Sequence, residues 1–364
     1  MEKKLGIFSL GGAGNAILHS LLDNNKLISD PGKQCVYINF AESDLAKKYS
    51  GIHFLLDYGG TGRDPKVGEK IVRENSDEID KFLHETITDK KTGNIIFDEI
   101  LLISSLGGGT GSSLVPHLLG YLTNKSVNVS LVSVMPSDSE GVATLPNAIK
   151  AFQSIYNDYI LTNKLKSCFI FDNQKFSNVL GANVYDYVSL NKGIADFIDK
   201  IFNYDVLYQS TEGFNSLDIK EYSRVLFWGK GIGDVFYFTP DKNKFEDTDY
   251  ESSVYDGRFK VSTAKAVALQ LNFKNKAESV PKETIDFANK VVEKFRKKFV
   301  NSFFVFGFNF NNKSCINDFE VKLVVNGLQA PMNFISTAKR AAKGVEKIKR
   351  VNDAVTTGGV DLDF

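Results

Sequence analysis

The sequence predicts an α/β protein whose first part is a doubly wound, mostly parallel sheet covered by helices on both faces. Short apolar runs alternate with helical patterns along the first half of the chain, and polar or glycine-rich residues follow these runs. With 364 residues, more than one domain is expected. We predict four parts: a doubly wound domain (1–182), a long central helix with the loop after it (183–222), a second, smaller α/β domain (223–330), and a C-terminal helix with a tail (331–364).

The composition is typical of an ordinary soluble protein. Lys plus Arg and Asp plus Glu both number 44, so no overall field attracts nucleic acid, and any contact with DNA is expected to be local or indirect rather than direct and sequence-specific. The three cysteines are far apart, which disfavours a disulfide scaffold or a zinc site. No apolar run approaches the roughly 18 residues of a membrane span, and we predict a cytoplasmic protein that does not contact membranes.

The elements of the first half follow from apolar runs and turn residues. Residues 5–10 predict a strand, Gly11 to Gly14 a tight turn, and 15–22 a helix. Further strands are predicted at 35–40, 100–103, 129–135 and 168–171. In a parallel sheet, ligands bind beyond the carboxyl ends of the strands, so the loops leaving these runs are the candidate site.

The loop from Ser104 to Ser113 connects a buried strand to a helix. Its glycines allow close approach of a ligand, and the helix N-terminus behind them offers N–H groups and a positive dipole end, which favours phosphate. A Walker A loop is excluded because Ser112, not Lys, follows Gly111. A dinucleotide fingerprint at Gly12 and Gly14 lacks its third glycine.

The second half has a different order of predicted helices and strands. Residues 183–204 carry the stripe of a long helix, and strands are predicted at 225–228, 235–238, 303–306 and 321–325, with helices near 261–271 and 282–299. Near the end, 334–348 keep helical spacing while Lys339 to Arg350 load the other face with basic residues. The pattern suits a helix that binds a partner protein or DNA, and it equally suits a helix that packs on the protein with its lysines in solvent. The residues after it are expected to form a loose tail.

With those loops in place, the chain resembles the tubulin/FtsZ superfamily of GTP-dependent filament proteins. The residues 107–113, GGGTGSS, resemble its glycine signature, 38–45 its second nucleotide loop, and 60–68 its third. The resemblance covers the first 222 residues. It implies a GTPase that binds GTP or GDP and assembles into filaments.

The resemblance assigns roles to individual residues. Glu140 corresponds to the acid that binds ribose and Asn173 to the amide that reads guanine, while Tyr187 stacks on the base and Asn191, on the same helix face, bonds to it. The loops that hold phosphates and sugar contribute Gly11, Gly12, Gly14, Asn15, Asn39, Gly60, Thr61, Gly62, Arg63, Gly107, Gly108, Gly109, Thr110, Gly111 and Ser112.

One position departs from the family pattern. FtsZ usually has Arg four residues after the ribose acid, where this chain has Thr144, so charge near the γ-phosphate is expected from Arg63. The sequence predicts no protein ligand for a metal. Mg²⁺ is expected to be held through phosphate oxygens and water.

Asp218 and Glu221 match the acidic pair of the superfamily's seventh loop. Outside the resemblance, such a pair would reflect the preference of acids for the first turn of a helix. Within it, both residues are catalytic, because that loop meets the nucleotide of the next subunit and orients the attacking water. A head-to-tail contact of this kind produces an open filament if its rotation does not close.

The second half resembles the plasmid and phage partition branch, the TubZ-like tubulins, at 227–234 and in the basic final helix. This implies segregation of plasmid or phage DNA through a TubR-like helix-turn-helix adaptor on centromere DNA, contacted by Lys339 to Arg350. A cell-division or phage-positioning filament stays open, and so does a nucleotide-dependent metabolic enzyme. The last would need a base or nucleophile near the phosphates.

Overall fold

The structure is a computed structural model. It describes residues 4–24, 28, 30–44, 49–137, 140, 144–183, 185–202, 211–240 and 261–329. The predicted C-terminal helix and tail lie outside the described residues.

Ten strands form one sheet in the order β3-β2-β1-β4-β5-β6-β7-β10-β8-β9. The first seven strands in this order, from β3 to β7, are parallel to one another, whereas β10 runs antiparallel to both β7 and β8. The strands are β1 (Leu5–Leu10), β2 (Cys35–Asn39), β3 (Ile52–Leu55), β4 (Glu99–Ser105), β5 (Asn128–Met135), β6 (Ser167–Asp172), β7 (Gly231–Phe238), β8 (Ala266–Phe273), β9 (Phe303–Asn309) and β10 (Phe319–Leu328).

Helices cover both faces of this sheet. They are α1 (Gly11–Asn24), α2 (Pro31–Gln34), α3 (Pro65–Glu74), α4 (Ser76–Ile87), α5 (Gly109–Asn124), α6 (Thr144–Ile155), α7 (Asn173–Leu180), α8 (Tyr187–Phe202), α9 (Ile219–Trp228) and α10 (Lys282–Lys298). One buried apolar cluster includes residues of α3 to α6 and α10, and another includes residues of α1 and α7 to α9. The predicted α/β class with a mostly parallel sheet is therefore confirmed.

Alternation along the strands explains how one sheet serves two cores. Ile7 of β1 belongs to the second cluster, while the next residue, Phe8, and Leu10 two positions further on belong to the first. Successive side chains of a strand point to opposite faces, so an uninterrupted apolar run is what a strand covered on both faces requires.

The long central helix begins later than predicted, at Tyr187 rather than at residue 183. Leu190, Ile194 and Ile198 are fully buried along one stripe. This stripe packs against α1, which crosses β4 so closely that a side chain at Gly14 would overlap the backbone of Ile103.

Two predicted elements of the second half are wrong. Residues 225–228, predicted as a strand from their apolar and aromatic composition, are the last turns of α9. The helix is stabilised there by buried Asn326, whose side-chain amide donates to the carbonyl oxygens of Val225 and Leu226 at 3.0 and 2.9 Å. That contact comes from a strand about a hundred residues away, and local propensity does not contain it.

Residues 261–271, predicted as a helix, form a short 3₁₀ turn at Val261–Thr263 and most of strand β8. Every residue of β8 is buried. A strand buried on both faces has no alternating pattern, so its apolar run is easily mistaken for part of a buried helix. Similarly, Gly11 to Gly14 form the first turn of α1 rather than a separate turn.

The strands of the two halves join in the same sheet, because β7 pairs with β6 through Ser167 opposite Gly231 and Cys168 opposite Ile232. The domain boundaries at 182, 222 and 330 stay a prediction. All three cysteines are buried and free. Among the described helices, none has the length and apolar character that crossing a membrane requires.

Candidate functional site

A cavity of about 670 Å³ opens where β1, β4, β5 and β6 end. This is the edge at which a parallel sheet binds ligands. Its walls come from several loops and from the first turn of α8. The lining residues are Leu10, Gly11, Gly12, Ala13, Ala16, Ala41, Ser43, Gly59, Gly60, Thr61, Gly62, Arg63, Ser105, Gly107, Gly108, Gly109, Thr110, Gly111, Val134, Glu140, Thr144, Asn173, Tyr187 and Asn191.

Two helix N-termini converge on the cavity. Helix α1 starts at Gly11, directly after β1, and α5 starts at Gly109 after the N-cap Gly108, which has no side chain to occupy the first N–H groups. The first N–H groups of a helix lack intrahelical partners, and the dipole adds partial positive charge there. Gly11 has φ of 71°, a left-handed backbone that favours glycine. The arrangement suits an anion such as a phosphate chain.

The glycine loop is packed tightly from behind. A side chain at Gly109 would overlap Thr61 and the carbonyl of Asp64, and one at Gly111 would overlap the carbonyl oxygen of Ser105. At Gly108, by contrast, a Cβ would meet nothing within 4 Å. Some of these glycines therefore bring the third loop and α5 together, while Gly108 faces open space in the cavity.

Glu140, Asn173 and Tyr187 form a network at the other side of the cavity. Glu140 Oε1 accepts hydrogen bonds from the Ser137 backbone N–H and from Asn173 Nδ2, both at 2.8 Å. The Tyr187 hydroxyl also bonds to Glu140, and burial together with that carboxylate raises the pKa of Tyr187. Since Nδ2 of Asn173 is held by Glu140, its amide orientation is set.

The other amide atom of Asn173 remains available. Asn173 is 7% exposed, and its Oδ1 is a buried acceptor with no hydrogen-bond partner. A buried polar atom without a partner is costly, so a ligand donor at this position would be favourable. Asn191 lines the same cavity one helical turn after Tyr187, as the spacing of four residues predicts.

Arg63 is the cationic residue that lines the cavity. It has a left-handed backbone with φ of 62°, and its guanidinium donates to the Glu140 backbone carbonyl at 3.4 Å. Asn147 holds the Arg63 carbonyl oxygen from α6 at 3.3 Å. Thr144 lines the cavity at the position where the family pattern has Arg. The third loop, through Arg63, therefore supplies positive charge to the cavity.

Four of the predicted nucleotide-binding residues do not line the cavity. Gly14 packs on β4, and the Asn15 side chain is buried and accepts from Ser9 Oγ at 2.8 Å. Asn39 is also buried and accepts from the Phe40 N–H, while the Ser112 hydroxyl donates to the Gly108 carbonyl at 2.6 Å. In this structure they support the loops from behind.

The sequence reasoning missed several lining residues. They are small or apolar and carry no chemical signal of their own, namely Leu10, Ala13, Ala16, Ala41, Ser43, Gly59, Ser105 and Val134. Only Leu10, Ala41, Ser105 and Val134 lie within two residues of the end of a predicted strand, and that position is the signal that could have found them.

Asp218 and Glu221 lie far from the cavity. Helix α8, which reaches the cavity with Tyr187, has 16 residues and so an axis of about 24 Å. At its far end, the Ile201 carbonyl accepts from the hydroxyl of Tyr222, in the first turn of α9, at 2.8 Å. Asp218 is the exposed N-cap of that helix and accepts from the N–H groups of Lys220 and Glu221. The acids and the cavity thus occupy opposite ends of α8.

The residues present suit Mg²⁺ held by a ligand better than Mg²⁺ held by protein. Within the described ranges, no group of three or more His, Cys, Asp or Glu side chains is placed to hold a metal ion. Glu140 is the carboxylate that lines the cavity, and it is engaged by Asn173, Ser137 and Tyr187.

Comparison with known proteins agrees with this geometry. Residues 4–181 match the model of the Tubulin/FtsZ family, GTPase domain. Tubulin-like protein CetZ4 of Haloferax volcanii is 27% identical over 216 residues, which cover 55% of this chain and 50% of CetZ4. Tubulin-like protein TubZ of Bacillus cereus is 28% identical over 148 residues, covering 39% of this chain and 32% of that protein. The chain matches half or less of the length of these curated relatives.

Among solved structures, a GTPγS-form protofilament of TubZ from Bacillus thuringiensis serovar israelensis has the same fold. It superposes with a TM-score of 0.76 at 17% identity, covering 96% of this chain and 94% of that one. The fold likeness extends through the second half of the chain, beyond the family match. With the glycine loop, the cavity and the matched segment in agreement, residues 4–181 belong to the tubulin/FtsZ family as its GTPase domain.

Proposed function

We propose that the protein binds GTP in the cavity, assembles head-to-tail, and hydrolyses GTP at the contact between subunits. The observation that carries this proposal is the separation of Asp218 and Glu221 from the cavity by the length of α8, about 24 Å. Carboxylates at that distance cannot orient water at a nucleotide bound in their own chain. A neighbouring subunit stacked on the cavity would bring its own α9 N-terminus to the nucleotide.

Mixing two inactive variants tests the intersubunit site. Asp218→Asn removes the acid, and Gly108→Glu places a carboxylate in the open space where phosphates would bind. Each variant alone is expected to hydrolyse little GTP. An equimolar mixture should recover about a quarter of the wild-type rate if the subunits assemble at random in a head-to-tail contact.

Phosphate release and sedimentation are measured together in this experiment. If both variants are present in the same pellet and the mixture is no faster than the two variants separately, hydrolysis is not completed between subunits. The Gly108→Ala variant is the matched control, because its methyl group adds no charge to the cavity.

Guanine and Mg²⁺ belong to the same proposal. Asn173 Oδ1 and the side chain of Asn191, which both line the cavity, would read the base edge, with the Tyr187 ring at the cavity wall. The phosphates would meet the N-termini of α1 and α5, with Arg63 beside them. Mg²⁺ would be held by phosphate oxygens of the nucleotide and by water, and it would neutralise part of the phosphate charge.

We further propose that the filament segregates plasmid or phage DNA through a helix-turn-helix adaptor bound to centromere DNA. The support is the similarity to TubZ in sequence and in fold, and the basic pattern from Lys339 to Arg350. That pattern lies outside the described residues. A chain ending at Gly344 is expected to assemble with GTP but to lose recruitment to the adaptor–DNA complex.

A pull-down on immobilised adaptor–DNA checks this expectation. Neutralising Lys347, Lys349 and Arg350 with Gln in the full-length chain separates loss of charge from loss of the segment. Normal recruitment of the truncated chain would place the contact elsewhere.

A cell-division filament and a metabolic enzyme are the two other functions that the sequence leaves open. A cell-division filament would share the cavity and the distant acids, and a ring-like distribution across dividing cells would favour it over partition. For a metabolic enzyme, the cavity lining offers Arg63 and Glu140 as charged side chains but no His, Cys or Lys to serve as base or nucleophile. Sedimentation after addition of GTP separates this class from filament proteins.

A further inference from the structure

A cluster of basic and aromatic side chains lies at the amino ends of β6, β7 and β8. We call it the basic rim: Lys164, Lys166, Arg224, Trp228, Lys230, Lys265 and Phe303. Lys166, Lys230 and Lys265 each immediately precede one of these strands. The Lys230 N–H donates to the Lys166 carbonyl at 2.9 Å, and Lys265 Nζ lies 3.4 Å from the Lys230 carbonyl.

The aromatic members are continuous with the lysines. The Phe303 N–H donates to the Lys265 carbonyl at 2.9 Å, and the Arg224 guanidinium lies 5.5 Å from the Trp228 ring centroid and 5.9 Å from that of Phe303. Trp228 is 61% exposed and Phe303 38% exposed. The Arg224 guanidinium joins these two rings into one exposed patch, and contiguous exposed patches of this kind mark interaction sites.

Among the described residues, the ion pairs join other side chains, and none links a cation of the basic rim to a carboxylate. Burial and the adjacent ammonium of Lys230 lower the pKa of Lys166, and the carboxylate that opposes this is the buried Glu99. The cations of the basic rim therefore repel one another, and a bound anion would relieve that repulsion.

The mixture of residues distinguishes between classes of partner. Lysine is depleted in protein–protein interfaces, whereas nucleic-acid interfaces are rich in basic side chains that contact phosphates. Exposed aromatic rings beside a basic groove are the arrangement on which unpaired bases stack. We propose that the basic rim binds single-stranded nucleic acid without sequence specificity, with lysines on the phosphates and Trp228 as a stacking platform for bases.

The stacking residue of this surface lies away from Asp218. Asp218 caps one end of α9 and Trp228 ends the other, so the length of the helix, about 15 Å, separates these two residues, while Arg224 lies one helical turn after Glu221. Binding requires neither nucleotide nor assembly. In a filament each subunit would present one basic rim, and the resulting multivalency would strengthen attachment to a long strand.

Trp228 is the chain's single tryptophan, which makes it a local probe. Titrating the full chain, without GTP, with oligothymidylate should quench its fluorescence through stacking. Replacing Lys164, Lys230 and Lys265 with Gln should weaken binding about tenfold or more at low salt and reduce the slope of log affinity against log salt by about 2, at roughly 0.7 per phosphate contact. Trp228→Ala, measured with labelled oligonucleotide, should weaken binding about fivefold or more.

The matched control replaces Lys81, Lys90 and Lys282, which are exposed on other parts of the surface, with Gln. It has the same net charge as the triple variant of the rim and should bind like the wild type. GTP-dependent sedimentation of each variant confirms that it is folded.

Four outcomes would overturn the proposal. One is absence of binding and quenching at low salt; another is equal affinity in the two triple variants, which would indicate attraction to net charge alone. The third is displacement of oligothymidylate by poly-glutamate at equal charge concentration, which would indicate a site for acidic peptides. Tighter binding of duplex DNA with no effect of Trp228→Ala would also contradict the single-strand assignment.

Discussion

Replacing Asp218 with Asn is expected to lower GTP turnover by about 10²–10⁴-fold, the usual contribution of a positioned acid or base. GTP binding and filament assembly should persist, so the variant should form long-lived filaments. The physical reason is that Asn cannot accept a proton from water or stabilise its partial positive charge as a carboxylate does. Phosphate release per assembled subunit measures the effect.

The choice of Asn separates chemistry from structure. Asp218 caps α9 by accepting from the N–H groups of Lys220 and Glu221, and Asn caps a helix equally well. Asp218→Ala should show the same loss of turnover and, in addition, a loss of about 1 kcal/mol of stability from the missing cap. Asp286→Asn, an exposed acid on α10, is the control with the same change of charge.

Turnover of Asp218→Asn within a few-fold of wild type would remove this residue from the catalytic role. A variant that fails to sediment with GTP would instead assign Asp218 to the contact between subunits. The two readings are distinguished because phosphate release is normalised to polymer.

The second large effect concerns the choice of base. Asn173→Ala is expected to weaken GTP binding by about 5- to 150-fold, because a buried hydrogen bond with a ligand is lost at about 1–3 kcal/mol, and to leave weak ATP binding unchanged. Guanine carries N–H donors on the edge that Asn173 Oδ1 can accept from, whereas the corresponding ring nitrogen of adenine has no hydrogen. The preference for GTP over ATP should therefore fall by the same factor.

Competition between the two nucleotides for the cavity measures this preference directly. Asn178→Ala is the matched control, since Asn178 lies on the same helix with an exposed amide. If Asn173→Ala discriminated between GTP and ATP as sharply as the wild type, the amide would not read the base. Asn191 would then be the remaining candidate, and Asn191→Ala the next variant.

Much of the site was predictable because its signals are local. The apolar runs that became β1, β4, β5 and β6 end where the cavity lies. The dense glycines after Ile103 predicted a phosphate loop, from their backbone freedom and from the helix N-terminus behind them. Spacing of four residues was enough to place Tyr187 and Asn191 on one face of a helix. The tubulin/FtsZ resemblance added roles to these positions, and the family match confirmed the resemblance.

The sequence by itself therefore determined the fold class, the position of the glycine loop at a strand end and most of the residues around the cavity. Only the tertiary structure decided that 225–228 are helical and that 266–271 belong to a strand, because contacts from distant strands outweigh local propensity there. It also decided the orientation of the Asn173 amide through Glu140 and the distance of Asp218 from the cavity along α8. The basic rim likewise depends on folding, since Lys164, Lys230 and Lys265 meet only when β6, β7 and β8 align in one sheet.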